Sequence, residues 1–289
     1  MLLVVESGST KADWMLVNKK QTVLTTMGFN PYFHSKEDIL HELNGNYDLN
    51  LIKNLVTELY FYGAGCSIPE LNAIVKSALS AYFTKATIKV NHDLAACAYA
   101  CYNGVPEIAC ILGTGSNSCY FDGKIIKEAV PALGHILGDE GSGSYFGKRI
   151  LSDFLYKRLP TEMEEELEDL GLNKEVIVEK VYRQANANVY IASFMPILIR
   201  HKNLDYCQSV IKEGIQKFID THVKCYDNYN EIEVNFVGSM ACLLQDELFE
   251  ICKKEKIEIG QIIRKPLHNL VEYHLKKINI QSNGVEQKS

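Results

Sequence analysis

A chain of 289 residues with 47% hydrophobic content has room for one large or two ordinary globular domains with a real core. Its formal net charge of -6 gives no general attraction to nucleic acid or to an anionic membrane, so any phosphate site must be built locally. The nine cysteines are odd in number, sit mostly inside apolar runs and follow no secretory signal, the usage of a reduced, cytoplasmic protein. The longest apolar run, 189–199, is too short to span a bilayer.

Residues 2–5 form a buried-strand run that stops at Glu6-Ser7-Gly8-Ser9-Thr10-Lys11 and resumes over 14–17; Asn18-Lys19-Lys20 then turns the chain into a third strand near 22–26. Helical spacing follows over 35–43, a short apolar strand over 59–62 ending in Gly63-Ala64-Gly65, and an amphipathic helix over 68–83 with Pro69 in its first turn. A strand over 86–90 runs into Asp93, and the alanine-rich stretch 94–101 is predicted helical, so Asp93 lies at a strand-to-helix corner. This alternation implies an α/β layer with a mixed sheet.

At Ile108 the plan repeats. An apolar strand over 108–112 breaks into Gly113-Thr114-Gly115-Ser116-Asn117; 118–121, an Asp122-Gly123 hairpin signal and 124–126 then reproduce the opening hairpin. Turns this rich in glycine and hydroxyls leave main-chain N–H groups for an anion, usually phosphate. Two such halves, divided at 1–106 and 107–289, would face their turns across a cleft that fits a nucleotide polyphosphate. The last helix could pack back on the first domain. Helices are predicted over 142–156, 161–170, 173–184, 189–201 and 204–226, and a strand over 232–237 ends in Gly238-Ser239, a third strand-glycine-helix corner suited to a base or ribose. A helix over 240–254, a strand over 257–263 and a helix over 266–277 complete the order, with 281–289 read as a disordered tail.

Each candidate also has a plain structural reading. Asp93 serves equally as a helix cap, although capping does not prevent a carboxylate from acting as a general base. Gly8-Ser9-Thr10 is what any tight turn uses, and gains weight only when paired with 113–117. Asp139-Glu140, in Gly138-Asp139-Glu140-Gly141-Ser142-Gly143, suits a helix start, and His135 reads as a structural histidine or a site residue. The acidic run 162–169 reads as a solvated helix face. Cys97 and Cys101 share a helix face without a second pair at zinc spacing; no nucleophile elbow, Walker loop or dinucleotide fingerprint follows a strand.

The motif set Glu6-Ser7-Gly8-Ser9-Thr10-Lys11, Asp93-Leu94-Ala95-Ala96, Gly113-Thr114-Gly115-Ser116-Asn117, Gly134-His135-x-x-Gly138-Asp139-Glu140-Gly141-Ser142 and Val237-Gly238-Ser239, in that order, resembles the N-acetylglucosamine kinases. These belong to the BadF/BadG/BcrA/BcrD branch of the actin, sugar kinase and Hsp70 superfamily. The resemblance implies an α/β fold of two RNase H-like (actin-like ATPase) domains with mixed five-stranded sheets and an interdomain cleft. It implies ATP with Mg2+ as cofactors and phosphorylation of the 6-hydroxyl of N-acetylglucosamine or a related amino sugar. By the same resemblance Asp93 is the catalytic base. Gly8, Ser9, Thr10, Lys11, Gly113, Thr114, Gly115 and Ser116 bind ATP phosphates, and Gly238 and Ser239 bind adenosine. Asn30, Asp93, Thr114, Asn117 and Asp139 contact the sugar, and Glu6 reaches the metal through water.

The implied partner is a small amino sugar, with no nucleic acid and no membrane; a homodimer stays open. Departures from the family pattern are Glu6 where many superfamily members carry aspartate, Ser7 for a usual glycine, and Leu133 for an aromatic before Gly134. The cysteine-rich zinc motif of the ROK kinases is absent. Two other readings stand beside the kinase: an ATPase activator of a radical dehydratase, holding a cluster through loop cysteines, and a non-catalytic sugar sensor.

Overall fold

The computed structural model of the chain describes residues 1–8, 11–18 and 21–286. Two compact units emerge, Met1–Tyr102 with Pro266–Ser289, and Asn103–Lys265. The sequence reading drew one boundary, at 106; in the structure the chain leaves the first unit at Tyr102 and returns to it at Pro266.

The first unit is built on β1 (Leu2–Ser7), β2 (Lys11–Val17), β3 (Gln21–Met27), β4 (Glu58–Gly63) and β5 (Thr87–His92), in the spatial order β3-β2-β1-β4-β5. β1, β2 and β3 form an antiparallel meander, whereas β4 and β5 run parallel to β1. Because successive strand residues point to opposite faces, Leu3, Val5, Leu59 and Phe61 enter one core with Trp14, Phe29, Ile39, Val75 and Leu79. On β4 the alternate residues Tyr60 and Tyr62 meet His274 of the closing helix instead. Both faces are covered, which is why β1 reads as an unbroken apolar run.

The second unit repeats this order with β6 (Glu107–Leu112), β7 (Ser116–Phe121), β8 (Ile126–Lys127), β9 (Glu233–Val237) and β10 (Ile259–Ile263), arranged β10-β9-β6-β7-β8. Again the first three form an antiparallel meander and the last two are parallel. The duplication read from the turns is thus present as matching topology, two RNase H-like sheets of five strands each. The second core collects Ile108, Cys110, Leu112 and Phe236 against helical Phe146, Phe154 and Phe218.

Several predicted elements change. Glu6, Ser7 and Lys11 are strand residues, since pairing of Glu6 with Asp13 and Ser7 with Ala12 shortens the turn. Ser116 and Asn117 likewise belong to β7, opposite Leu112 and Ile111. The predicted helix 189–201 is two, Ala187–Ala192 and Met195–Arg200, with Pro196 in the first turn of the second. The predicted helix 204–226 is Asp205–Phe218 followed by a π-helical turn, Ile219–Val223. Helix Tyr47–Ile52, capped by Asn46, went unread. The closing helix runs over Leu267–Glu286, well into the stretch expected to be disordered. Among the described residues, no helix is long and apolar enough to cross a membrane.

Candidate active site

In the first unit Ser7 pairs with Gly63 and Gly63 with His92, so β1, β4 and β5 end level, about 4.8 Å apart. The carboxyl ends of parallel strands are where ligands bind in open α/β sheets. Asp93 directly follows His92 as the first residue of helix Asp93–Cys101, and its Oδ1 accepts the Leu94 N–H at 2.9 Å. Cys66 lies near it; burial first, and the Asp93 charge second, push that thiol up to about 12, which makes it inert.

Asn30 is brought to the same edge. Ser7 Oγ accepts the Phe29 N–H at 2.8 Å, and Asn30 Oδ1 accepts the Tyr32 N–H at 3.0 Å. Gly65, at φ +79°, is required here: a Cβ would lie 2.4 Å from Asn30 Oδ1. The Gly8 N–H donates to the Lys11 carbonyl at 2.9 Å, closing the first turn. Ser9 and Thr10 lie outside the described residues. Lys11 Nζ sits 2.8 Å from Asp13 Oδ1, which sequence reading overlooked. Asp13 stands opposite Glu6 in register, so two carboxylates share one face of the hairpin.

In the second unit the turn between β6 and β7 is packed tightly. Gly143 N–H donates to the Gly113 carbonyl at 2.9 Å, and both N–H and hydroxyl of Ser144 donate to the Thr114 carbonyl. Ser142 caps helix Gly143–Leu155, which fixes that helix start beneath the turn. Of the N–H groups expected to serve an anion, Gly113 donates to the Gly115 carbonyl and Ser116 to Asp139 Oδ1, so neither is left for a ligand. Those of Thr114 and Gly115 have no intramolecular partner among the described residues, and the buried Ser116 hydroxyl also has none.

Asp139 is buried with φ 59°, and desolvation raises its pKa although the Ser116 N–H works the other way. Its carboxylate lies 2.9 Å from where a Cβ on Gly115 would be, so Thr114, Gly115, Ser116 and Asp139 form one knot. Asn117 is not part of it: its amide donates to Glu128 Oε2 at 3.2 Å, and alternation along β7 turns it away from Ser116.

Gly238, at φ 131°, lies against the same turn; a Cβ there would be 2.1 Å from the Leu112 carbonyl oxygen. Ser239 begins the next short helix and borders a pocket of about 400 Å³ with Gly113 and Thr114 on one side and Met195, Ile199 and Leu243 on another. Met195 and Ile199 come from the segment that reads by hydropathy alone as the longest apolar run, and Leu243 from the helix that Ser239 begins. A mostly apolar recess whose lining also includes Gly113, Gly143, the residues Thr114 and Ser239, and Arg200 suits a flat heterocycle joined to a polar chain.

No protein-family profile and no curated protein matches the chain. Among solved structures, a Porphyromonas gingivalis protein assigned as an N-acetylglucosamine kinase is 33% identical and matches 95% of this chain and 98% of its own, with a TM-score of 0.89. A Chromobacterium violaceum protein given the same assignment matches 94% of this chain and 98% of its own at 15% identity and a TM-score of 0.70. A ROK family glucokinase from Streptomyces griseus, solved with glucose and AMPPNP, matches 94% and 97% at 14% identity and a TM-score of 0.50. The last two speak to the fold alone. Full-length coverage at one-third identity, on a duplicated RNase H-like topology, makes this chain a member of the N-acetylglucosamine kinase family of sugar kinases.

Proposed function

We propose that the protein is an ATP-dependent kinase that phosphorylates the 6-hydroxyl of N-acetylglucosamine or a related amino sugar, with Asp93 as general base. Asp93 carries this reading: a carboxylate at the level strand ends of the first unit is poised to take a hydroxyl proton, which a sugar sensor would not need. In this scheme the sugar oxygen attacks the γ-phosphate as Asp93 accepts its proton, the bond from the γ-phosphorus to the β,γ-bridging oxygen breaks and ADP leaves, and no covalent bond to the protein forms. Positioning and charge stabilisation supply the rate, as phosphoryl transfer generally requires.

The residues fit the rest of the scheme. The Thr114 and Gly115 N–H groups and the Ser116 hydroxyl supply donors to phosphate in the second unit; the resemblance assigns the same role to Gly8, Ser9, Thr10 and Lys11, of which Gly8 already spends its N–H on the Lys11 carbonyl. Ser239 borders a recess that would take adenosine, and Gly238 directly precedes it against the Leu112 carbonyl. Asn30, Thr114 and Asp139 are assigned to the sugar; Asn117, given the same role by the resemblance, faces the other way with its amide on Glu128. Mg2+ favours a few carboxylate oxygens beside phosphate oxygens, and the Glu6 and Asp13 pair fits that donor set, through water in the case of Glu6. Bound there, the ion would neutralise charge on the phosphates. Cys110 and Cys119 are buried on paired strands, an arrangement that does not offer loop thiolates to a cluster.

Coupled ADP release with N-acetylglucosamine, N-acetylmuramic acid, glucosamine and glucose tests the proposal. Turnover should be greatest with an N-acetylated sugar; no turnover with any amino sugar would sink it.

A further inference from the structure

We propose that His222 is a positioning residue for sugar recognition, bracing the β7 strand that carries Ser116 against the loop that carries Asp139. The inference rests on the kinase reading above and concerns how its second unit holds shape. His222 lies in the π-helical turn Ile219–Val223 and is 2% exposed. Its carbonyl accepts the Ser118 hydroxyl at 2.5 Å, while its ring Nε2 lies 3.3 Å from Glu140 Oε2. One residue thus grips both segments, two positions beyond Ser116 on the same strand face and one beyond Asp139.

The loop needs such a grip. Asp139 and Gly141 both have positive φ, at 59° and 67°, and Glu140 stands between them. A left-handed aspartate is held only where its surroundings over-determine it. The ring also stacks on Phe218 at 5.2 Å, and Phe218 Cβ is 3.0 Å from the Cβ position of Gly141, so the end of helix Asp205–Phe218 backs the loop beside the turn. π-helical turns recur at functional sites because the extra residue redirects a side chain that a regular helix would point elsewhere.

Burial favours the neutral ring, opposed by the carboxylates of Glu140 and Asp139, the two charged groups facing it; the Tyr226 hydroxyl, 3.2 Å from Ser118 Oγ, closes the far side. In the neutral form Nε2–H donates to Glu140, and Nδ1, with no partner among the described residues, needs only to leave an acceptor bare.

His222→Phe, which keeps the stacking and removes the donor to the loop of the sugar-assigned Asp139, should raise the KM for sugar roughly tenfold with a clearly smaller change in the KM for ATP and Tm nearly unchanged. His222→Gln, which restores an N–H toward Glu140, should recover most of that loss. A sugar KM within about twofold of wild type, or sugar and ATP KM values rising together with a fall in Tm, overturns the proposal. Should the phenylalanine variant fail to fold, Glu140→Gln, which weakens the contact from the other side, carries the same two outcomes. Amide exchange at Ser116 reads the brace without substrate. Faster exchange there than in wild type, with the first unit unchanged, supports it, and equal rates overturn it, whatever the wild type does with amino sugars.

Discussion

The main-chain N–H of Ser116 donates to Oδ1 of Asp139 at 3.2 Å with both residues buried, so the start of β7 and the loop before helix Gly143–Leu155 are tied directly together. Asp139→Asn retains a side chain that tolerates positive φ and removes the charge. It should lower kcat/KM for sugar about 10–100-fold with Tm nearly unchanged. Asp139→Ala should add roughly 1–2 kcal/mol of backbone strain and lower Tm as well. Steady-state kinetics beside thermal melts separate the two effects, and equal Tm losses in both variants would contradict the geometry.

At the other unit, Asp93→Asn should lose about 10²–10⁴-fold in kcat, the range for removing a general base, while calorimetric sugar affinity is retained. Near-normal turnover in that variant would falsify the assignment of Asp93.

The recess beside Gly113 and Ser239 makes a separate prediction. Leu243→Trp adds bulk to its wall and should raise the KM for ATP roughly tenfold with little change in the sugar KM. An unchanged ATP KM would move the nucleotide elsewhere.

His274 accounts for an expected acid sensitivity of the first unit. Burial, with smaller contributions from Lys277 and Lys89, holds its ring down to about 3 from an ordinary 6.5, and it stacks on Tyr60 at 3.7 Å while hydrogen-bonded to Tyr62 at 2.7 Å. The folded value is the lower one, so this contribution is present in full above about pH 6.5 and is lost as pH falls toward 3. Melts of His274→Gln should be flatter across that window than wild type, and an equally steep fall would rule the ring out.

The opposite slope is expected in the second unit. Burial, then the neighbouring Glu233 charge, raise Glu107 to about 8 from 4.5, against the Asn235 hydrogen bond at 2.9 Å. Here the folded value is higher; the stability it contributes is present below about pH 4.5 and lost as pH rises through 8. Glu107→Gln, still able to accept from Asn235, should raise Tm at pH 9 and change it little at pH 5. A uniform shift at both values would mean that packing, not charge, is responsible.

Much of this was open to reading from residues alone. Alternating apolar positions and glycine punctuation are local signals, so the two hairpins, the strand-to-helix corner at Asp93, the turn at Gly113 and the duplicated order were all visible in the chain. Local signals ended where distant partners took over. Strand pairing drew Glu6, Ser116 and Asn117 out of their turns, and Ser116's N–H went to an aspartate 23 positions away rather than to a ligand. The recess walls at Met195 and Leu243, Asp13 opposite Glu6, and His222 gripping Ser118 across 104 positions depend on which surfaces the folded chain presses together. No short window of sequence contains that information, because burial and desolvation act on neighbours in space and are indifferent to distance along the chain.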